Sequence, residues 1–172
     1  YRITLAAGIG DTFGQTLGKS QTVTIAVGSA QPTMQVPGGN FIVLDPFGKA
    51  ALSAYTINYG RFSVRAYAVV PQDWPTFTNY LRERYRTDIT VPIPGKQVYQ
   101  TTVNIESPAD RLAETSIDLE AAFKAAQGGG HLVVFIKPEL TGLPALLPGR
   151  NRAEEAVIWV QRTQIGLDAF TD

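Results

Sequence analysis

No cysteine occurs anywhere in this chain. Disulfides, cysteine nucleophiles and thiolate metal sites are therefore excluded. The absence leaves the compartment open, because periplasmic domains also do without cysteine. Histidine is nearly absent too: His131 stands alone. A single imidazole cannot build a zinc site without cysteines or a dense carboxylate cluster. No apolar run approaches the roughly 18 residues that a membrane-spanning helix needs. Neither sign of charge dominates, with 15 basic residues against 15 acidic ones. No net field therefore draws the chain toward nucleic acid or an anionic membrane. The chain opens on Tyr1-Arg2-Ile3, with no initiator methionine and no signal peptide. That start suggests an excised piece of something longer.

What is present describes a globular protein. The length of 172 residues allows one large domain, or one domain plus part of a second. The apolar fraction of 44% is near the globular average. Residues 1–7 and 21–27 alternate as strands around a glycine-rich loop at residues 8–14, which predicts a hairpin. Residues 28–39, with Pro32, Pro37 and the pair Gly38-Gly39, read as a linker. The expected division is residues 1–30 and residues 31–172.

In the larger part, residues 41–44 form a short strand stopped by Asp45-Pro46. Residues 52–57 and 62–70 flank Asn58-Tyr59-Gly60, a hairpin signal. In the second of these strands Phe62, Val64, Ala66 and Ala68 share a face. Asp73 can cap a helix over residues 74–81, where Pro75 is tolerated in the first turn. Trp74, Phe77 and Leu81 make its apolar stripe. Strand pattern resumes at residues 98–105. Asp118 can cap a second short helix that buries Leu119, Ala122, Phe123 and Ala126, ended by Gly128-Gly-Gly130. Residues 131–136 form a strand, residues 138–152 a Pro/Gly loop, and residues 153–161 the final strand. There Val157, Trp159 and Gln161 face one way and Ile158, Val160 and Arg162 the other. Both leading faces are apolar, so this strand is expected to be covered on two sides. The fold class is mainly β, an antiparallel β-sandwich with two short helical inserts.

Several apparent chemical motifs have blander explanations. Gly14-Gln-Thr-Leu-Gly18-Lys19-Ser20 nearly spells a phosphate loop. It has one residue too few between its glycines and a strand, not a helix, after the serine. Asp110 and Glu114 sit at helical spacing, but with Arg111 between them they read as a solvated face. Arg82, Arg84 and Arg86 alternate with Glu83 and Tyr85, again a solvated helix face. Asp11, Asp45 and Asp168 are turn or cap residues, with calcium at the Asp11 loop set aside. Trp74, Trp159, Tyr55 and Tyr67 could form a carbohydrate platform, although core packing explains the two tryptophans. No catalytic, cofactor-binding or metal-ligating residue is assigned, and no cofactor is expected.

The closing run Val157-Ile-Trp-Val-Gln-Arg-Thr-Gln-Ile-Gly-Leu-Asp-Ala-Phe170 resembles the segment that ends one macroglobulin-like domain and opens the next in bacterial alpha-2-macroglobulins. Three other places carry the resemblance. Residues 52–70, with Asn58 and Arg65-Ala-Tyr67, look like that family's central hairpin. Ser116-Ile-Asp-Leu119, a short helix, then Gly-Gly-His-Leu-Val-Val-Phe-Ile136 look like its capped turn before a strand. Tyr1-x-Ile-x-Leu followed by Gly10-Asp-x-Phe-Gly-x-x-Leu resembles the end of a bacterial Ig-like domain. The family's thioester sequence Cys-x-Glu-Gln is absent, as is any recognisable bait region.

The resemblance implies a non-catalytic structural module of a protease-trapping inhibitor. It implies a periplasmic or extracellular location, with a lipid anchor on the parent as one option. Its partners would be neighbouring domains of the parent chain, and target proteases would be met by the full-length protein. Two other readings stay open: an Ig-like adhesin or surface-layer binding domain, and a carbohydrate-binding β-sandwich attached to an enzyme. A thioester motif downstream in the full gene would select the trap. Tandem Ig repeats with a wall anchor, or a glycoside hydrolase domain, would select the others.

Overall fold

The computed structural model describes residues 1–127, 129–139 and 155–163. The chain divides into two compact units, Tyr1–Ala30 and Gln31–Asp172.

The first unit is a hairpin. β1 (Arg2–Leu5) pairs antiparallel with β2 (Gln21–Thr24), Ile3 opposite Val23. At its far end the Asp11 carboxylate accepts the N–H groups of Phe13 and Gln15, each at 2.9 Å. Gly14 completes that turn with φ +82°, a conformation open to glycine at no steric cost.

The second unit is layered. Its strands are β3 (Thr33–Gln35), β4 (Phe41–Val43), β5 (Ala51–Ile57), β6 (Arg61–Ala68), β7 (Lys96–Asn104), β8 (Ala113–Asp118), β9 (His131–Glu139) and β10 (Ala156–Gln161). Its helices are α1 (Trp74–Glu83) and α2 (Glu120–Ala125). One sheet has five strands in the order β4-β10-β9-β6-β7, and the other has three, β3-β5-β8. Alternation buries one face of each. Leu52 and Ala54 of β5 and Ile117 of β8 meet Phe62, Val64 and Ala66 of β6, Leu132, Val134 and Ile136 of β9, and Ile158 and Val160 of β10. Leu119, Ala122 and Phe123 bring α2 into the same core.

The five-stranded sheet is apolar on its other face as well. There Tyr67, Val133, Phe135, Val157 and Trp159 pack with Phe77 of α1. Leu132 to Ile136 and Val157 to Val160 are each at most 2% exposed, so β9 and β10 are both covered on two sides, which the sequence predicts for β10. The arrangement is sheet, sheet, helix.

Several expectations need correction. Residues 52–57 and 62–70 do not form a hairpin. β5 pairs with β3 and β8, whereas β6 pairs with β7 and β9. Asn58, at φ +57°, turns the chain from one sheet to the other. The sandwich is not wholly antiparallel, since β4 lies parallel to β10, Phe41 opposite Trp159. The supposed linker at residues 28–39 contains β3, and β8 had no strand signal. Asp73 stands at the N-cap of α1 but makes no side-chain cap bond. Its carboxylate instead accepts the upstream Val70 N–H at 2.9 Å. A 3-10 turn, Pro71–Asp73, already feeds the helix, so the donors needing a partner lie earlier. β9 continues through Pro138 to Glu139, beyond the last residue paired to β10, where a missing N–H breaks no ladder bond. Residues 140–152 of the predicted loop, Gly128, and the closing segment from Gln164 with Asp168 lie outside the described residues.

Candidate functional site

Each chemical candidate can be placed. The phosphate-loop look-alike is the return arm of the hairpin. Gly18 donates its N–H to Ala7 O at 2.9 Å, and the Ser20 hydroxyl donates to Leu5 O at 3.0 Å. β2 follows it, so no helix N-terminus faces the loop. Asp11 spends its carboxylate on its own turn. Asp45 does the same, accepting the Phe47 N–H at 2.9 Å.

Asp110 and Glu114 are not brought together on a helix. Asp110 sits in a turn at φ +61° and exchanges two bonds with the Asn58 side chain, at 2.8 and 2.9 Å. Glu114 lies on β8 opposite Tyr55, whose hydroxyl titrates above its ordinary range because it is hydrogen-bonded to the Glu114 carboxylate.

The arginine cluster is engaged by partners within the chain. Arg82 donates to Glu83 and Asn79, and Arg86 to Asp88 and Glu83. Arg84 donates to the Glu155 carbonyl and the Tyr85 hydroxyl. The aromatic platform is not assembled either. Trp159 and Tyr67 are only 2% and 8% exposed. Trp74 departs from expectation at 40% exposure, resting edge-on against Trp159 at 5.2 Å and Phe41 at 5.6 Å. Phe41, itself half-exposed, arrives from edge strand β4, an element with too few residues to reveal its pairing in advance.

His131 begins β9 with its ring 5.9 Å from that of Trp159. Its buried Nδ1 has no hydrogen-bond partner among the described residues. Among the described residues no group of three His, Cys, Asp or Glu side chains could hold a metal ion. Burial pushes the imidazole below its ordinary value of 6.5. The folded chain then prefers neutral His131, and the unfolded chain binds a proton first as pH falls. This contribution to stability is full above pH 6.5 and is lost as pH drops through the lower folded value. Denaturant melts across about pH 7.5 to 5 should show the decline, and His131→Phe should flatten it. A nuclear magnetic resonance titration of the ring with its midpoint above 6.5 would contradict this placement.

Sequence reasoning missed the polar clasps between distant segments. Glu120 accepts the Ala50 N–H and a proton of Arg162, each at 2.9 Å, and both hold its carboxyl below the usual range. Arg162 also donates to Gly48 O at 2.8 Å. Thus α2, the turn at residues 45–48 and the end of β10 are fastened together. Arg65 similarly binds Glu155 at 2.8 Å. Asn40 aligns β4, donating to Val157 O and accepting from the Trp159 N–H, both at 2.8 Å. These partners lie 42 to 119 residues apart, a separation that no local pattern reveals. The arrangement supplies rigidity and surface: clamped turns, and exposed aromatics at Phe41, Phe47 and Trp74.

No protein-family model matches the chain, and no curated protein matches it. Solved structures do. A crystal structure of native alpha-2-macroglobulin from Escherichia coli, spanning domains MG0-NIE-MG1, superposes with a TM-score of 0.58 at 16% identity, covering 99% of this chain and 52% of that one. A mutant Salmonella alpha-2-macroglobulin gives 0.56 at 14% identity, over 93% of this chain and 9% of that chain. The E. coli fragment spanning NIE-MG1 gives 0.52 at 17% identity, over 83% and 65%. The chain thus spans about half the length of the first and under a tenth of the second. It has the fold of a segment of bacterial alpha-2-macroglobulin structures.

Proposed function

We propose that this chain is a non-catalytic structural module of a bacterial alpha-2-macroglobulin-like protein that traps proteases outside the cytoplasm. The observation that carries this reading is the superposition along 99% of the chain on an E. coli alpha-2-macroglobulin fragment. The physical character of the second unit supports it. Three layers, a central pair of strands buried on both faces and long-range polar clasps make a stiff wall that resists local opening and proteolysis. Neighbouring domains of the parent are its partners, met through interfaces of the modest, polar kind found within one chain. Catching a protease belongs to the assembled parent.

Incubation of the isolated chain with several serine and metalloproteases tests this. Activity against a large protein substrate should be unchanged at any stoichiometry, and the chain should not couple covalently to amines. Stoichiometric inhibition by the chain alone would identify a direct active-site blocker instead.

A further inference from the structure

The edge strands of the second unit are β4, β7, β3 and β8. Three of them carry features that discourage a further strand. β7 begins with the exposed Lys96, and its pairing with β6 shifts register between Ala66 and Tyr67. β3 lies between Pro32 and Pro37. β8 exposes Glu114 and Asp118. β4 has none of these. Its three residues are apolar and paired without a bulge, and Phe41 and Val43 are 43% and 51% exposed.

The ladder gives the open side of β4 a definite chemistry. Trp159 donates its N–H to Asn40 O, and Leu44 donates its N–H to Gln161 O, both at 2.8 Å. Alternate residues of a parallel pair turn their backbone groups toward the partner strand, so Asn40, Ile42 and Leu44 address β10. Phe41 and Val43 therefore direct two N–H and two C=O groups away from the sheet, at a repeat of about 6.6 Å. Among the described residues no strand pairs with them there. A second extended backbone offers complementary groups at the same repeat.

The side chains beside this edge set the character of that backbone. Phe41 lies opposite Trp159, so the two form a row across the sheet on the α1 side, and Trp74 stands edge-on to both rings. The next place in the row, across the open edge from Phe41, suits an apolar or aromatic side chain. Asp45 lies two residues past Val43, and Asp73 adjoins Trp74. Each accepts one backbone N–H, from Phe47 and from Val70, and neither is in an ion pair among the described residues. Two uncompensated carboxylates beside the edge favour a basic residue on whatever docks there.

We propose that the open edge of β4 binds an extended segment of a partner polypeptide. The segment adds to the five-stranded sheet as a further strand. It sets an apolar side chain beside Phe41 and Trp74 and a lysine or arginine near Asp45 or Asp73. The inference rests on the geometry of the edge and stands apart from the protease-trap reading.

Amide exchange on the isotope-labelled 172-residue chain tests it, with the peptide acetyl-Lys-Thr-Phe-Thr-Val-Thr-amide as probe. At saturating peptide the Phe41 and Val43 amides should exchange about 10-fold more slowly, with Ile42 and Val134 unchanged. Strand addition uses one alternate set of peptide amides. Of two peptides N-methylated on opposite alternate sets, one should lose binding and the other keep it. Replacing the peptide's lysine by glutamate should weaken binding several-fold. Val43→Pro removes an outward N–H and no ladder bond, so it should abolish binding while Val134 exchange is kept. Equal binding by both methylated peptides would overturn the proposal and leave only an apolar patch. No change in either amide at millimolar peptide would also overturn it. So would slow Phe41 and Val43 exchange in the free chain, because the edge would then already be filled. Protection that rises with chain concentration, alongside a dimer in sedimentation, would overturn it as well and assign the edge to a second copy.

Discussion

Replacing Trp159 by alanine is expected to destabilise the folded chain by about 3–5 kcal/mol. The indole is 2% exposed and lies where three elements meet. Phe77 and Trp74 of α1 meet it edge-on at 5.5 and 5.2 Å, and the tilted ring of His131 of β9 flanks it at 5.9 Å. Truncation removes a large apolar side chain from the layer between helix and sheet. The backbone around it cannot close the gap, because Trp159 N–H is bonded to Asn40 O and the strand is paired on both sides. Denaturant melts of the two proteins measure the loss. A change under about 1 kcal/mol would mean that the helix does not cover this face.

The second large effect is expected at Gly95, the residue just before β7. Its φ is +77°, and an added Cβ would overlap the Ala68 carbonyl oxygen and lie 2.5 Å from Val69 Cγ1. Lys96, the next residue, pairs with Ala68, so the close approach is what lets β7 start against the end of β6. Gly95→Ala combines left-handed backbone strain with a clash against main chain that cannot rotate away. A loss of about 2–4 kcal/mol is expected. Gly39→Ala is the control. It has the same strain at φ +70° with nothing within 4 Å of the new methyl, and should cost only about 1–2 kcal/mol. Equal losses at the two positions would remove the clash from the account.

The parts of this fold legible in the sequence are those set by local alternation. The runs from Leu132 to Ile136 and from Val157 to Val160 are apolar on successive residues, and their shortness and their β-branched and aromatic content mark strands buried on both faces. The stripe of Leu119, Ala122 and Phe123 fixed the buried side of α2 in the same way. Pairing was not legible. Leu52 and Ala54 alternate in step with Phe62 and Val64, which is equally what two strands stacked across a core or paired within one sheet require. Asn58-Tyr59-Gly60 looks like a hairpin turn from either arrangement, and the choice is made by β8 and β9, distant strands that claim β5 and β6 separately. β3 and β4 have three residues each, too few for any period to register. Trp74 falls on the correct helix stripe, but its place at the sheet edge, beside Phe41 alone of β4, leaves it half-exposed.

The chemical look-alikes failed for a related reason. Asp11 and Asp45 each accept backbone N–H groups of their own turns, and the Asp110 carboxylate accepts the Asn58 side-chain amide, so all three are already engaged. The clasps at Glu120 and Arg162 or Arg65 and Glu155 were invisible because sequence spacing carries no trace of which surface charges the fold will bring together.

The most direct measurement of the central claim uses the full-length parent protein rather than this chain. A protease saturated with the parent is assayed on a large protein substrate and on a short peptide. The scaffold account predicts that cleavage of the large substrate is lost while the peptide is still hydrolysed, since a cage excludes by size and leaves the active site free. Unchanged cleavage of both substrates, or loss of both together, would contradict it.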